Sequence, residues 1–146
     1  MTADPRLARI VAYFQTLSPA TLAAIDGIYT EQARFRDPFQ AVQGSARIRQ
    51  VYDHMFRTLR SPRFIVHTAL GDGTDAFLTW ELVFESPRMP DGLWRVQGAS
   101  HLRLAADGRI ADHRDYWDPA EELYEKTPVL GGLMRLIKRR LRTPGV

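Results

Sequence analysis

Phe35-Arg36-Asp37-Pro38-Phe39, running on through Val42-Gln43-Gly44 to Ile48, is the stretch from which the fold of this chain can be read. A short extended piece stops at a proline, because the residue before a proline is pushed out of helical geometry, and a glycine closes the loop that follows. Asp37 sits between aromatic residues, where a charge is costly to bury unless it has a partner or a task. Two readings of that carboxylate stand side by side. It can face an apolar pocket as a general base, or it can cap its own loop in an Asx-type turn ahead of Pro38.

Past Gly44 the apolar residues Ile48, Val51, Tyr52, Met55, Phe56 and Leu59 recur at helical spacing, which predicts an amphipathic helix from about Ser45 to Leu59 with Asp53 and His54 off its stripe. From Ser61 the period changes to two. Phe64–Leu70, Ala76–Phe84, Leu93–Leu104 and Arg109–Trp117 are rich in β-branched and aromatic residues and read as four strands. Gly71-Asp72-Gly73, Pro90-Asp91-Gly92 and Ala106-Asp107-Gly108 supply the hairpin turns between them, so the strands form an antiparallel meander. Upstream, Leu7, Ile10, Val11, Phe14 and Leu17 mark a first helix from Pro5, with Tyr13 at the edge of its stripe. Ser18-Pro19 reads as cap and first residue of a second helix carrying Leu22, Ile25, Ile28 and Tyr29, and Ala33–Arg36 as a short strand. Helices first and an antiparallel sheet after make an α+β layer architecture. Two further helical pieces open at Asp118-Pro119 and Thr127-Pro128.

The chain has 146 residues, 45% of them hydrophobic, and no cysteine. That suffices for one compact domain with a substantial core. It rules out thiolate chemistry, cysteine zinc sites, iron–sulfur clusters and disulfides. The polar start at Met1–Arg6 lacks the apolar segment of a signal peptide, and no run reaches the ~18 apolar residues of a spanning helix, so a cytoplasmic location is expected. The net charge of +3 is unevenly placed. Five of the 20 basic residues and none of the 17 acidic ones lie in 128–146, which leaves −2 on the rest. A body without a basic stripe is a poor match for a nucleic-acid backbone.

Taken together, two helices, a strand ending in Asp-Pro, a third helix after a glycine and four long antiparallel strands resemble the cone-shaped α+β barrel of the NTF2-like superfamily. That superfamily contains nuclear transport factor 2, SnoaL-like cyclases and ketosteroid isomerases. The resemblance spans roughly residues 5–118 and divides the chain into an NTF2-like domain, 1–127, and a basic amphipathic tail, 128–146. It implies a cofactor-independent isomerase or cyclase that takes a proton alpha to a carbonyl, or a non-catalytic binding module of the same fold. Its most specific part, Phe35 to Ile48, looks like the segment that carries the isomerases' general base, which makes Asp37 the matching residue. Their catalytic tyrosine on the first helix stands 24 positions earlier, as Tyr13 does here. Their second oxyanion donor, a protonated aspartic acid, is matched by Ser100 in Gly98-Ala99-Ser100-His101, a departure that offers a weaker donor than a neutral carboxylic acid.

If Ser100 faces inward, the hairpin register puts His113, Asp115 and Trp117 on the same face. His113 and Asp115 can form a base with its orienter, an acid and a base at opposite sides of a ligand, or a hydrogen-bonded polar pair lining a cavity mouth or a dimer surface. Tyr13 can be an oxyanion donor or an ordinary core tyrosine. Phe35, Phe39, Met55, Trp80 and Trp117 are the candidate contacts for a small hydrophobic, steroid- or polyketide-like ligand. No metal is expected, since only one side of the Asp112–Asp115 strand can face an ion and no second histidine joins it. A homodimer through the open sheet face is expected, with Glu81 on that face. The tail can dock on protein or lie at a membrane surface.

Overall fold

The computed structural model of the protein describes residues 4–145. Its elements are α1 (Pro5–Gln15), a 3₁₀ segment (Thr21–Gly27), β1 (Tyr29–Arg36), β2 (Ala41–Gln43), α2 (Ser45–Thr58), β3 (Arg60–Asp72), β4 (Asp75–Glu85), β5 (Leu93–Leu104), β6 (Ile110–Tyr116), α3 (Pro119–Glu122), a 3₁₀ turn (Tyr124–Lys126) and α4 (Pro128–Leu141). The strands form one six-stranded sheet in the order β2-β1-β6-β5-β4-β3. The sheet curves and does not close.

Strands β3 to β6 make the antiparallel meander expected from the turn residues. Gly73, Gly92 and Gly108 adopt φ of 63°, 76° and 85° at or beside the three turns, conformations that residues with a Cβ rarely hold. The sheet is not antiparallel throughout, however. β1 lies parallel to β6, with Phe35 opposite His113, and pairs antiparallel with β2, a strand lying in what reads as loop between Phe39 and Gly44. A parallel neighbour must be supplied by a strand far away in sequence. No local turn signal announces it.

The second helix also differs from expectation. It is a 3₁₀ segment that starts at Thr21, where the Thr21 hydroxyl accepts the Ser18 amide at 2.8 Å. Ile28 and Tyr29 follow it into β1, so the strand begins four residues before Ala33. By contrast α1, capped by Asp4 with Pro5 in the first turn, and α2 match their apolar patterns.

The core lies between the helical layer and the concave sheet face. Leu7 and Ile10 of α1, Ile48 of α2 and Leu102 of β5 are fully out of water, each such burial contributing about 1.5–3 kcal/mol. Along β4 the residues Ala76, Leu78 and Trp80 alternate inward. Trp80 is paired with Gly98 on β5, and a Cβ built at position 98 would lie 2.4 Å from the Trp80 Cη2 atom. The indole therefore lies flat across β5 at the one position without a side chain.

Candidate functional site

The β5–β6 register puts Ser100 opposite Asp115 and Leu102 opposite His113, so Ser100, His113 and Asp115 share the concave face. The three are joined by short hydrogen bonds. Ser100 Oγ donates to Asp115 Oδ1 at 2.6 Å, and His113 Nε2 lies 2.6 Å from the same oxygen. Trp80 Nε1 donates to Ser100 Oγ at 2.8 Å. On its other side His113 Nδ1 is 2.7 Å from the Tyr29 hydroxyl, which is 3.0 Å from that of Tyr52. A continuous polar chain thus runs Tyr52, Tyr29, His113, Asp115, Ser100, Trp80 through the core.

Proton counting gives the chain a direction. A carboxylate only accepts, so Ser100 and the His113 Nε2–H both donate to Asp115. With the imidazole neutral, Nδ1 accepts from Tyr29, and Tyr52 donates to Tyr29. Adding a proton at Nδ1 reverses the two tyrosine bonds and leaves the Tyr52 proton available to another acceptor. Every buried side-chain polar atom among the described residues has a partner. Burial pushes the hydroxyls of Tyr29 and Tyr52 well above the ordinary tyrosine range, since neither phenolate could be solvated there, and the Asp115 charge adds to the effect.

Beside this chain a concavity of about 310 Å³ opens between α2, the sheet and the β1–β2 loop. Phe35, Phe39, Met55, Trp80 and Trp117 line it together with Asp37 and Asp115. Phe84 joins them, and Phe64, Leu82, Val96 and Leu123 add apolar surface for which no single residue in the sequence gives a distinguishing mark. A recess of about 20 Å³ continues inward to Ser100 and His113, with Tyr52 and Asp115 on the walls of both spaces. That is room for about one water molecule. A larger groove of about 650 Å³ lies over the β1–β6 junction, but exposed arginines such as Arg36 and Arg114 dominate its walls, and it offers no apolar enclosure.

Asp37 makes the Asx-type turn and also borders the concavity. Its Oδ1 accepts the amides of Phe39 at 2.8 Å and Gln40 at 3.0 Å, and its Oδ2 accepts the Gln40 carboxamide at 3.1 Å, so it makes an Asx-type turn. It does so while lining the concavity at the rim, where Phe39 packs edge-on against Trp117 with ring centroids 5.3 Å apart. Asp115 differs: its recorded hydrogen bonds all go to Oδ1.

Tyr13 does not join this group. Its hydroxyl donates to the Thr21 carbonyl at 3.2 Å, and neither the concavity nor the recess includes it. α1 turns Phe14 toward the recess, which places Tyr13 against the 3₁₀ segment. The tyrosines that reach the polar chain are Tyr29 and Tyr52. Both sit within apolar patterns in the sequence, and the requirement that a buried phenol find a partner was the available signal.

A curved sheet wrapped on a helical layer, with a polar chain at the floor of its concave face, defines an NTF2-like fold. The SnoaL-like domain model matches residues 10–113, and the chain belongs to that family. No curated protein matches the chain. Among solved structures it is similar to a SnoaL-like family protein from Agrobacterium tumefaciens str. C58, at 19% identity and TM-score 0.65 over 79% of this chain and 99% of the other. It is similar to a protein of ketosteroid isomerase-like fold from Catenulispora acidiphila DSM 44928 in complex with trimethylamine, at 14% identity and TM-score 0.69 over 84% and 92%. An LEH-like epoxide hydrolase of M. tuberculosis aligns at 16% identity and TM-score 0.67 over 92% and 96%. At these identities the structural likenesses establish the fold.

Proposed function

We propose that the protein binds a small hydrophobic carbonyl compound in the concavity and moves a proton alpha to the carbonyl in a cofactor-independent isomerase or cyclase reaction. Asp115 is the base. The observation that carries this reading is the asymmetry of its carboxylate: Oδ1 is held by Ser100 and His113, and the group borders an apolar space with Oδ2 unengaged among the described residues. Asp115 removes the C–H proton, the electron pair moves onto the carbonyl oxygen as an enolate, and Tyr52 on the shared wall turns its hydroxyl proton from Tyr29 to donate to that oxygen. Return of the proton to a different carbon gives the isomer. Asp37, held by its own loop, is the second carboxylate at the rim.

Asp115→Asn keeps the shape and removes the base. Turnover of a β,γ-unsaturated ketosteroid or a polyketide ester is expected to fall by about 10²–10⁴-fold, with binding measured by tryptophan fluorescence retained. Wild-type turnover in that variant would remove the catalytic reading. The alternative is a non-catalytic binding module, favoured by one observation: Asp37 and Tyr13 are both engaged by their own local backbone. Binding without turnover of either substrate by the wild type supports that alternative.

A second copy of the chain is the proposed partner of the outer sheet face. Leu70, Phe77 and Tyr116 are 64%, 51% and 51% exposed there, a contiguous apolar patch of the kind that marks an interaction site. Phe77→Glu is expected to convert a dimer to a monomer in analytical ultracentrifugation, and a wild type that sediments as a monomer refutes the dimer.

A further inference from the structure

The C-terminal helix sits on the body the wrong way round for a water-soluble helix. α4 packs against the 3₁₀ turn Tyr124–Lys126 through its small and cationic side. Gly131 is buried so closely on the Glu125 carbonyl that a Cβ there would come within 2.4 Å of it. Arg135 Nη1 donates to that same carbonyl at 2.9 Å, and Lys138 Nζ lies 3.3 Å from Glu125 Oε1. The opposite side carries Leu130, Leu133, Ile137 and Leu141, and these are 46%, 50%, 43% and 80% exposed. At about 100° per residue they form a single stripe, broadened by Val129 and Leu136.

We propose that this stripe is a docking surface for an anionic lipid bilayer, on which α4 lies in the plane of the interface. Charge decides between occupants. Arg139 and Arg140 flank or interrupt the stripe, Arg142 follows the last turn of the helix, none of the three makes an ion pair among the described residues, and the segment 128–146 holds no acidic residue. Packing two copies of α4 in parallel, stripe to stripe, would bring these guanidinium groups together, and in either orientation Arg140 within the stripe would be buried against apolar side chains without a counter-charge. An anionic headgroup layer instead pairs with them while the stripe enters the acyl boundary, and the arginine stems are long enough to reach back to the headgroups. No helix among the described residues is long and apolar enough to span a bilayer, so the association is peripheral.

The full chain should cosediment with vesicles of mixed phosphatidylcholine and phosphatidylglycerol at least about tenfold better than with phosphatidylcholine alone, and lose that preference in high salt. Leu133→Glu with Ile137→Glu should abolish cosedimentation, with the thermal midpoint reporting that the body remains folded. Arg139→Glu with Arg142→Glu keeps the stripe and should remove the preference for anionic vesicles, which tests the proposal independently. Equal binding to both vesicle types overturns it. So does wild-type vesicle binding in the Leu133→Glu, Ile137→Glu chain. A wild type that ignores vesicles but dissociates into monomers when the stripe is charged also overturns it, and assigns the stripe to a second copy.

Discussion

His113 Nε2 and Asp115 Oδ1 lie 2.6 Å apart, two residues along the same strand, and this contact ties the carboxylate beside the concavity to the buried tyrosine pair. A strand brings residues i and i+2 to one face, so β6 needs only its period to place imidazole and carboxylate together. His113→Phe keeps much of the shape but leaves the Tyr29 hydroxyl with Tyr52 as its remaining partner and Asp115 Oδ1 with Ser100 as its remaining donor. The expected loss is about 1–3 kcal/mol for the two hydrogen bonds together, read from the urea midpoint. An unchanged midpoint would mean that the chain is not holding the floor of the site together.

The tyrosine pair gives the protein an alkaline limit. In the unfolded chain Tyr29 and Tyr52 ionise near their ordinary value of 10.0, whereas in the folded chain burial keeps both protonated to a higher pH. Below that value both states hold the protons and the contribution to stability is complete. Above it the unfolded chain binds fewer protons than the folded one, so stability falls by about 1.4 kcal/mol per pH unit for each tyrosine. Urea titrations from about pH 9 to about pH 11 should show this slope, and Tyr29→Phe with Tyr52→Phe should flatten it. A slope that survives the double substitution places the titration elsewhere.

Tyr13 and Tyr52 part company in the structure, and should do so in solution. Tyr13→Phe removes one bond to the Thr21 carbonyl and should leave ligand affinity and turnover within about twofold of the wild type, at a stability cost of about 1 kcal/mol. Tyr52→Phe acts on the wall of the concavity and should lower turnover by about 10²-fold or more if its hydroxyl meets the enolate. The reverse ranking would restore the tyrosine that the spacing to Asp37 singles out.

Much of this was legible in the residues, and what was not has a physical reason. Ser100, His113 and Asp115 could be put on one face because strand period and hairpin register are local properties. The same holds for α2, whose stripe from Ile48 to Leu59 reads directly. Tyr13 was misplaced because counting back from Asp37 fixes a distance along the chain but not a direction around a helix, and α1 turns Phe14 inward instead. The parallel pairing of β1 was hidden because its partner β6 lies far away in sequence, and β2, although the Asp37–Gln40 turn folds it back on β1, is three residues long and too short to show an alternation. Asp37 carried two readings because a short acid before proline suits both, and the folded loop makes the Asx-type turn while leaving the carboxylate on the rim of the concavity.

Gly98→Ala tests how the width of the concavity is set. The added methyl group meets the Trp80 ring well inside contact distance, so the indole must swing off β5, breaking its bond to Ser100 and moving into the space it now borders. The expected result is about 1–3 kcal/mol of destabilisation and weaker binding of bulky ligands relative to small ones. Trp80 fluorescence reports the movement, and an unchanged spectrum with unchanged affinity counts against this role.

The parallel pairing of β1 with β6 also sets an order of events as the chain is made. β3 to β6 can pair hairpin by hairpin as they emerge, but β1, paired with β2 on one edge, must wait on its other edge for a strand that ends more than halfway along the remaining sequence. Tyr29 and His113, 84 residues apart, close one of the longest loops in the fold. The floor of the concavity is therefore expected to close late, once β6 has docked on β1. A ribosome-bound chain that ends before β6 should not bind ligand at all, however well its α1, α2 and first hairpin have formed.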